Sequence, residues 1–378
     1  MSKLTIHKKI SLFRTILKVS YLIIYFLWLA LLILCLLAKI IPAQVWIIPS
    51  MLALGFPFIF IGFLILSVIT LFKKYFVPLL IALPFILWGL FVFSRYMDFT
   101  SLFKSNACKA KKEINVLSFN VRLFDVYSWK TNHPYRQKML DFIIQQKPDI
   151  ACFQEYYYQS NQKYPTTSVL LSGLNTTYIH EYYPIVNRKT DYFGIATITK
   201  FPIVFKGNIL FQGTSNMCIY TDVLINKDTV RIYNMHLESV RLATEDYALL
   251  SSIEQNPEDI KVSKSKSVIR HLVRAMKKRN IQAHLIAEHI QHCRYPVIVC
   301  GDFNDTPASY TYSAIAKGLT DSYSLFDLQL GSTYNGNIPF LRIDYILYGP
   351  SFCSHDYSIH RVNLSDHFPV SCSLEKKE

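Results

Sequence analysis

The chain has 378 residues, of which 51% are hydrophobic, and a formal net charge of +14; this length is enough for two domains. Almost all of the charge lies in residues 1–112, which hold 13 of the 40 Lys and Arg but only one of the 26 Asp and Glu and so carry +12. The rest of the chain is close to neutral, which argues against an enzyme that holds nucleic acid by a basic surface.

Three long runs without a charged residue occupy the first quarter of the chain. Crossing a ~30 Å hydrocarbon core takes about 20 apolar residues, so we predict three transmembrane helices. Buried helices of a soluble domain would carry more charge, and a cleaved signal peptide would not be followed by two further runs. The absence of charged residues inside the runs argues against a transporter. The predicted transmembrane region is 1–99, with spans at about 19–39, 47–72 and 75–94.

The orientation of these helices follows from the basic residues that flank them. Five Lys and Arg precede the first run, and the Lys73-Lys74 pair follows the second. Basic residues concentrate on the cytoplasmic side, so both places are predicted to be cytoplasmic and the part after the third span extracytoplasmic. With this orientation, seven of the flanking basic residues lie on the cytoplasmic side of the membrane and six on the extracytoplasmic side. The eight cysteines form no CxxC pair and no metal-finger spacing, so we infer neither disulfides nor compartment from them.

After a basic linker at 100–112, a second domain is predicted over 113–378. It contains six short motifs, most of them an apolar, strand-like run that ends in a polar side chain. Carboxylates, amides and histidines at strand ends are what a metal-assisted phosphoester hydrolase needs. In chain order the motifs are Leu117–Asn120, Ile150–Glu155, Tyr233–Leu237, Pro296–Asp305, Arg342–Leu347 and Ser365–Pro369.

These six motifs, in this order, resemble the endonuclease/exonuclease/phosphatase superfamily. Its members include pancreatic deoxyribonuclease, apurinic endonucleases, neutral sphingomyelinases and inositol polyphosphate 5-phosphatases. The resemblance implies an α/β (α+β) fold: a two-sheet β-sandwich flanked by helices, the DNase I-like four-layer sandwich, here preceded by the three-helix transmembrane region. It implies a phosphoester substrate and does not specify which one.

The resemblance also implies a metal site. Hard oxygen ligands suit Mg²⁺, with Mn²⁺ as the alternative. Glu155 is the expected principal ligand, with Asn120 beside it and Asp366 as a further carboxylate on the metal side. Arg122 stands where nuclease branches often have an acidic residue, and it adds a cation that could bind a substrate phosphate.

The same resemblance assigns the catalytic roles. Asp302 would orient or deprotonate the attacking water, and Asn304, which alternates with it along an extended segment, would bind the phosphate. Asp344 would orient His367, which either contacts the phosphoryl oxygen or acts as a base. His236 would protonate the leaving group; a carboxylate that orients it cannot be identified from the sequence.

Two helices are predicted between the motifs, over Tyr135–Gln146 and within Lys261–Cys293, and Asn226–Asp228 is predicted to join a hairpin. The second helix is basic, and we interpret it as packing on a sheet with a solvated basic face. A sharper hypothesis is that Lys277, Lys278 and Arg279 bind anionic lipid headgroups.

We therefore predict a multi-pass membrane protein whose catalytic domain is a divalent-metal-dependent phosphoesterase. Its partners would be the bilayer and a phosphoester substrate, with a lipid headgroup favoured because the domain is tethered near lipid. One alternative is an extracytoplasmic nuclease. The other is an inactive membrane-anchored binding module, disfavoured because every expected site residue is present.

Overall fold

The computed structural model describes the following residues: 3–96, 113–131, 135–161, 164–240, 262–323, 331–336 and 341–377. The predicted linker at 100–112 and residues 241–261, in the segment between His236 and Asp302, lie outside this described part of the chain.

Four helices form the N-terminal region: α1 Lys3–Leu37, α2 Ile47–Ala53, α3 Phe56–Phe72 and α4 Phe76–Phe93. Among the described residues, α4 and the 27-residue part of α1 from Ser11 to Leu37 are long and apolar enough to cross a membrane. Helices α2 and α3 meet at 79° and make a third candidate if they count as one span. The region predicted as one helix at 47–72 therefore consists of two, and Pro57 in the first turn of α3 suits the start of a new helix.

The second region contains two six-stranded sheets, which confirms the predicted fold class. The first sheet has the order β11-β12-β1-β2-β4-β3 and the second the order β5-β6-β7-β8-β10-β9. The strands are β1 Glu113–Asn120, β2 Ile150–Gln159, β3 Tyr178–Asn187, β4 Asp191–Thr199, β5 Ile203–Leu210, β6 Met217–Ile225, β7 Asp228–His236, β8 Val297–Asp302, β9 Thr320–Asp321, β10 Asp344–Tyr348, β11 Phe352–Ile359 and β12 Val370–Lys376. The helices of this region are α5 Tyr135–Gln146, α6 Thr166–Gly173, α7 Val262–Gln291 and α8 Tyr310–Ile315.

The two sheets pack face to face over an apolar core. Ile114 and Val116 of β1 belong to this core together with Ile232 of β7 and Ile298 of β8. Helices α5 and α6 cover the outer face of the first sheet, and α7 covers the outer face of the second. The result is four layers, in which each sheet buries both faces and each helix buries one.

The predicted helix at 135–146 and the hairpin turn at 226–228 are confirmed. Arg279, which we grouped with Lys277 and Lys278 as a surface patch, is instead 1% exposed. Its Nε lies 3.4 Å from Asp305 Oδ2, and its Nη1 donates to the Glu238 carbonyl oxygen at 3.0 Å. The prediction of a lipid-binding surface made of all three residues is therefore wrong, because the helical periodicity turns Arg279 inward.

The two regions are in direct contact. Lys39, which follows α1, donates from Nζ to the Pro307 carbonyl oxygen at 3.2 Å. Tyr96, which follows α4, accepts from the Ala308 amide at 3.3 Å through its hydroxyl. The Ala43 amide donates to Asn280 Oδ1 of α7 at 2.5 Å. The ends of α1 and α4 therefore lie on the same side of the helical region, against the loop between β8 and α8.

The cysteines divide into two states. Six of those in the described residues are free thiols, and Cys353 of β11 is disulfide-bonded. The remaining cysteine of the sequence, Cys108, lies outside the described residues. Most of the free thiols are buried apolar groups in strands, as Cys152, Cys300 and Cys372 are.

The burial of Arg279 leads to a stability prediction. The substitution Arg279→Met keeps the aliphatic stem but leaves the buried Asp305 carboxylate without its cation, so we expect a loss of about 3–5 kcal/mol in the free energy of unfolding. The neighbouring Lys277→Met removes an exposed charge and should change it by no more than ~0.5 kcal/mol. Denaturant unfolding of the full-length protein in micelles, followed by tryptophan fluorescence, measures both. Equal effects would place Arg279 on the surface after all.

Candidate active site

Strand pairing brings the predicted site residues to one edge of the sandwich. The parallel strands β7 and β8 place His236 opposite Asp302. The antiparallel pair β8 and β10 places Asp344 opposite the same residue. In the first sheet, β1 and β2 run parallel and both deliver side chains to this edge, Asn120 among them. Residues from the six motifs thus meet because the strands that carry them are neighbours within each sheet and the two sheets pack face to face.

Asp302 is the centre of this group and is 1% exposed. Its Oδ2 accepts a hydrogen bond from Asn120 Nδ2 at 3.0 Å, which joins the two sheets. The Nε2 atoms of His236 and His367 lie 3.6 and 3.7 Å from the same oxygen. Glu155 Oε1 lies 3.9 Å from His236 Nε2, so Asp302 and Glu155 are both near this ring but beyond hydrogen-bonding distance.

Gly301 explains how β8 can approach β7 so closely before Asp302. Its φ is +145°, and an added Cβ would lie 2.1 Å from the Met235 carbonyl oxygen. An L side chain fits neither that conformation nor that space. The glycine in the Gly-Asp-Phe-Asn motif thus fixes the position of the carboxylate that follows it.

We predicted an extended segment from Asp302 to Asn304, but Asn304 is not extended. Its φ is +52°, and its amide donates to Asp302 Oδ1 at 2.8 Å. Its side-chain Nδ2 donates to the Leu237 carbonyl oxygen at 3.1 Å, which uses one of the two N–H groups of the amide. The prediction of an alternating segment is wrong because a side chain-to-backbone turn replaces it, and asparagine tolerates this left-handed conformation well.

Glu155 also departs from its predicted place. β2 does not end there but continues to Gln159, and a β-bulge interrupts its pairing with β4 between Phe153 and Tyr156. Glu155 lies in the bulge with a φ of +50°. Its Oε1 is 3.5 Å from Asn120 Nδ2, and 36% of its side chain is exposed. Bulges commonly redirect a side chain next to an active site, and this one turns Glu155 toward Asn120.

His367 and Asp344 form a buried pair. His367 Nδ1 lies 3.1 and 3.0 Å from the two carboxylate oxygens of Asp344, and the Asp344 amide donates to Thr333 Oγ1 at 3.0 Å. Burial acts against the imidazolium, but the charges of Asp344 and Asp302 outweigh it and raise the pKa of His367 to about 10. Burial raises the pKa of Asp344. The Asp344 contact thus orients the ring so that Nε2 faces Asp302.

Arg122 and Asp366 lie at the rim of the site. Arg122 Nε is 3.7 Å from Asp366 Oδ2, and the two side chains are 58% and 39% exposed. The Arg122 amide donates to Asn120 Oδ1 at 3.1 Å. Residues 122–125 all have positive φ, between +44° and +57°, which is an uncommon run for residues other than glycine. Backbone strain of this kind is concentrated at functional sites.

The donor set fits a divalent cation. Asp302, Asp344 and His367 offer ligand atoms that all lie within 4.8 Å of one another. Among the described residues, no Lys or Arg lies within 4 Å of the Asp302, Asp344 or Glu155 carboxylates. His367 is the basic group within 4 Å of both buried carboxylates, so one imidazolium faces two acidic groups, and a bound cation would balance the remaining negative charge. The buried group shares no residue with the predicted ligands Asn120, Glu155 and Asp366, which remain a prediction.

Two residues that the sequence did not single out support the site. Ser365 Oγ donates to the Asn120 carbonyl oxygen at 2.9 Å and accepts from the His367 amide at 3.3 Å. Tyr334 packs its ring edge-on against His367, with the ring centroids 5.6 Å apart. Ser365 is adjacent to the Asp-His pair and could have been suspected. Tyr334 lies in no motif and carries no signal in the sequence.

The model of the Endonuclease/Exonuclease/phosphatase family matches residues 117–367. The chain belongs to this family. Its domain therefore combines a phosphoesterase-family fold with a buried Asp/His group that could hold a metal. The match covers all the predicted site residues, from Asn120 to His367, and omits the N-terminal helices.

Relatives of known identity extend the comparison. The chain is 24% identical over 291 residues to the CCR4-Not complex 3'-5'-exoribonuclease subunit Ccr4 of Saccharomyces cerevisiae, covering 64% of this chain and about a third (33%) of that protein. An endonuclease/exonuclease/phosphatase family protein of Bacteroides thetaiotaomicron superposes with a TM-score of 0.51 at 19% identity, covering 71% of this chain and 100% of its own. The human Nocturnin catalytic domain, with a bound sulfate anion, gives a TM-score of 0.51 at 18% identity, covering 71% and 97%. These structural likenesses establish the fold alone.

The His367–Asp344 pair leads to a titration prediction. In metal-free protein, His367 should stay protonated through neutral pH, and Asp344→Asn should lower its pKa from about 10 toward or below the usual ~6.5. Because the folded pKa is the higher one, this protonation stabilises the fold fully below pH ~6.5 and the gain is lost as pH rises through about 10.

Histidine NMR in EDTA, with His367→Gln for assignment, measures this pKa directly. His180 is the matched control, because burial lowers its pKa to about 4 and Asp344→Asn should not move it. A His367 resonance that titrates near pH 6.5 in the unmodified protein would contradict the assigned ion pair.

Proposed function

We propose that the protein is a membrane-tethered, divalent-metal-dependent phosphoesterase that hydrolyses the phosphoester of a lipid headgroup. The observation that carries the lipid preference is the contact between the helical region and the catalytic loop. Pro307 and Ala308, which bind Lys39 and Tyr96, follow Asp302 by only five and six residues. If the apolar helices span a bilayer, this contact keeps the site at the bilayer surface, where headgroups are concentrated.

The metal ligands in this proposal are carboxylate and amide oxygens of Glu155 and Asn120, with Asp302 and Asp344 contributing negative charge to the same site. A bound Mg²⁺ or Mn²⁺ would offset charge on the phosphoryl oxygens and favour ionisation of the attacking water. Mg²⁺ suits this set because it takes one or two carboxylates from a protein and keeps water for its remaining positions. Asp366, beside Arg122, is the proposed outer carboxylate of the site.

The side chains carry the proton transfers. Asp302 orients and deprotonates the attacking water, since its Oδ2 already accepts from Asn120 and faces both histidines. His367, protonated and held by Asp344, donates from Nε2 to a phosphoryl oxygen. His236 supplies the proton to the leaving oxygen.

Two donors at the rim would bind the substrate phosphate. One N–H of the Asn304 side-chain amide donates to the Leu237 carbonyl oxygen, and the other would donate to the phosphate. The Arg122 guanidinium, which is largely exposed, binds the phosphate from outside by charge-assisted hydrogen bonds.

Nucleic acid is the second candidate substrate. The similarity to Ccr4, described as a 3'-5'-exoribonuclease subunit, favours it, although this chain spans about a third of that protein. The near-neutral charge of the catalytic domain does not.

The activity prediction uses the full-length protein in lipid vesicles. Hydrolysis of a phospholipid or sphingolipid headgroup should require Mg²⁺ or Mn²⁺ and fall at least ~10²-fold in Asp302→Asn and in His367→Gln, because each removes a group that transfers or donates a proton. His355→Gln, a histidine on β11 away from the site, is the control and should retain activity.

The substrate panel separates the candidates. Cleavage of RNA or DNA without lipid turnover would replace the lipid assignment with the nuclease. Metal binding with no turnover of lipid, nucleic acid or a chromogenic diester would favour the inactive binding module.

We propose further that the catalytic domain is extracytoplasmic. Lys39 and Tyr96 both contact that domain, so the ends of α1 and α4 lie on the same side of the helical region. Three spans with a cytoplasmic N-terminus place both of these ends outside. The disulfide at Cys353 supports this side, because disulfides persist in oxidising compartments and are rare in the cytosol.

The disulfide gives a test of this orientation. Cells are lysed in a thiol-blocking reagent, the protein is denatured and reduced, and a polyethylene-glycol maleimide counts the thiols that had been oxidised. The unmodified protein should take up two labels, and Cys353→Ser none, because its partner is then a free thiol that is blocked at lysis. Cys372→Ser, which removes a free thiol, should still take up two. No label on the unmodified protein would remove this support for an extracytoplasmic domain.

A further inference from the structure

We infer that Lys39 and Tyr96, at the ends of two N-terminal helices, are positioning residues that hold both catalytic loops of the phosphoesterase in place. The inference rests on the proposed activity. One is the β8–α8 loop, residues 303–309, which follows Asp302. The other is the segment that leads into β10, the strand that begins with Asp344. Neither Lys39 nor Tyr96 lies in the part of the chain that matches the family.

Tyr96 contacts two separate segments of the catalytic domain near these loops. It is 2% exposed, and its hydroxyl accepts from the Ala308 amide at 3.3 Å. Its carbonyl oxygen accepts from the Tyr323 hydroxyl at 3.0 Å and from the Gly331 amide at 3.3 Å. One residue just beyond α4 therefore ties the β8–α8 loop to the segment that follows β9.

Lys39 makes the second tie. Its Nζ donates to the Pro307 carbonyl oxygen at 3.2 Å and lies 5.5 Å from the centre of the Tyr312 ring. Lys39 is partly buried. Among the described residues no carboxylate lies within 4 Å of it. A partly buried cation without a carboxylate costs stability unless its hydrogen bond and ring contact offset that cost.

From these two residues a buried aromatic cage leads to Asp344. The cage consists of Tyr312, Tyr323 and Tyr345 around the guanidinium of Arg342, which is fully buried and paired with Asp321. Tyr323 donates to Tyr96, and Tyr312 lies under Lys39. Arg342 is two residues before Asp344, so the cage fixes the point at which β10 begins.

A second path leads to Asp302 and Asn304. The Tyr345 hydroxyl of the cage donates to the Asp305 carbonyl oxygen at 2.8 Å. The Asp305 carboxylate lies 3.4 Å from Arg279 Nε, and the next residue of α7, Asn280, accepts from the Ala43 amide of the helical region. The residue directly after Asn304 is thus held from two sides, and both lead back to the N-terminal helices.

Both paths consist of buried, hydrogen-bonded or stacked groups, so a loosened junction displaces the loops rather than a single side chain. Small displacements of catalytic groups lower turnover strongly, by as much as ~10²-fold for about 1 Å, while ground-state binding is less affected. Loss of the Lys39 contact should therefore lower kcat and leave KM almost unchanged.

The test compares Lys39→Met with Lys73→Met in the full-length protein in nanodiscs. Lys73 lies over the Tyr21 ring at the opposite end of the helices and is the matched control. With a soluble chromogenic phosphodiester, Lys39→Met should lower kcat about 10- to 100-fold with KM within about 2-fold, and Lys39→Arg should restore most of it. An unchanged kcat, or a lower melting temperature with normal kcat, would overturn the inference.

A second readout separates this inference from the proposed activity. The His367 NMR resonance should shift in Lys39→Met and not in Lys73→Met, whether or not the protein turns over any substrate. If the unmodified protein hydrolyses nothing, the proposed function fails while a Lys39-specific shift still supports positioning of the site. An unmoved His367 resonance in Lys39→Met overturns the positioning role even if hydrolysis is observed.

Discussion

The hydrogen bond between Asn120 and Asp302 joins the two sheets at the point where the chemistry is assembled. Each partner belongs to a different sheet, and each sits at the end of a strand that is paired in parallel with the next strand of the site. The Nε2 atoms of both histidines lie within 3.7 Å of the same carboxylate oxygen. The arrangement of the site therefore depends on the packing distance of the sandwich, and core residues far from the edge influence it through that distance.

This arrangement concentrates negative charge in a buried place. Asp302, Asp344 and Glu155 converge with histidines as their only described ionisable neighbours within 4 Å, whereas buried carboxylates elsewhere in the domain, such as Asp321 and Asp305, are each paired with an arginine. The contrast separates carboxylates that stabilise the fold through an arginine from carboxylates that can bind a cation or a proton. Such a site is less stable than a paired one, and the surrounding sheet hydrogen bonds offset that cost.

The sequence predicted the fold class, the helix at 135–146, the hairpin and the apolar N-terminal helices, because these depend on local periodicity and on motifs in a fixed order. It did not predict the bulge at Glu155, which arises from pairing with β4, or the left-handed turn at Asn304, where the Asp302 carboxylate binds the backbone amide two residues later. It placed Arg279 on the surface because an amphipathic pattern does not say which cation faces a buried carboxylate. The contacts of Tyr96 with Tyr323 were invisible for the same reason: they join residues far apart in the chain.

Strand order also has a consequence for biosynthesis. In the first sheet β1 lies between β2 and β12, so strands from opposite ends of the catalytic domain are hydrogen-bonded neighbours. His367 lies three residues before the start of β12, so its contact with Asp344 depends on β12 having joined β1. Pairings of such high sequence separation form late. The N-terminal helices are made before the catalytic domain and His367 late within that domain, so a nascent chain has no complete catalytic centre while the domain is still being synthesised.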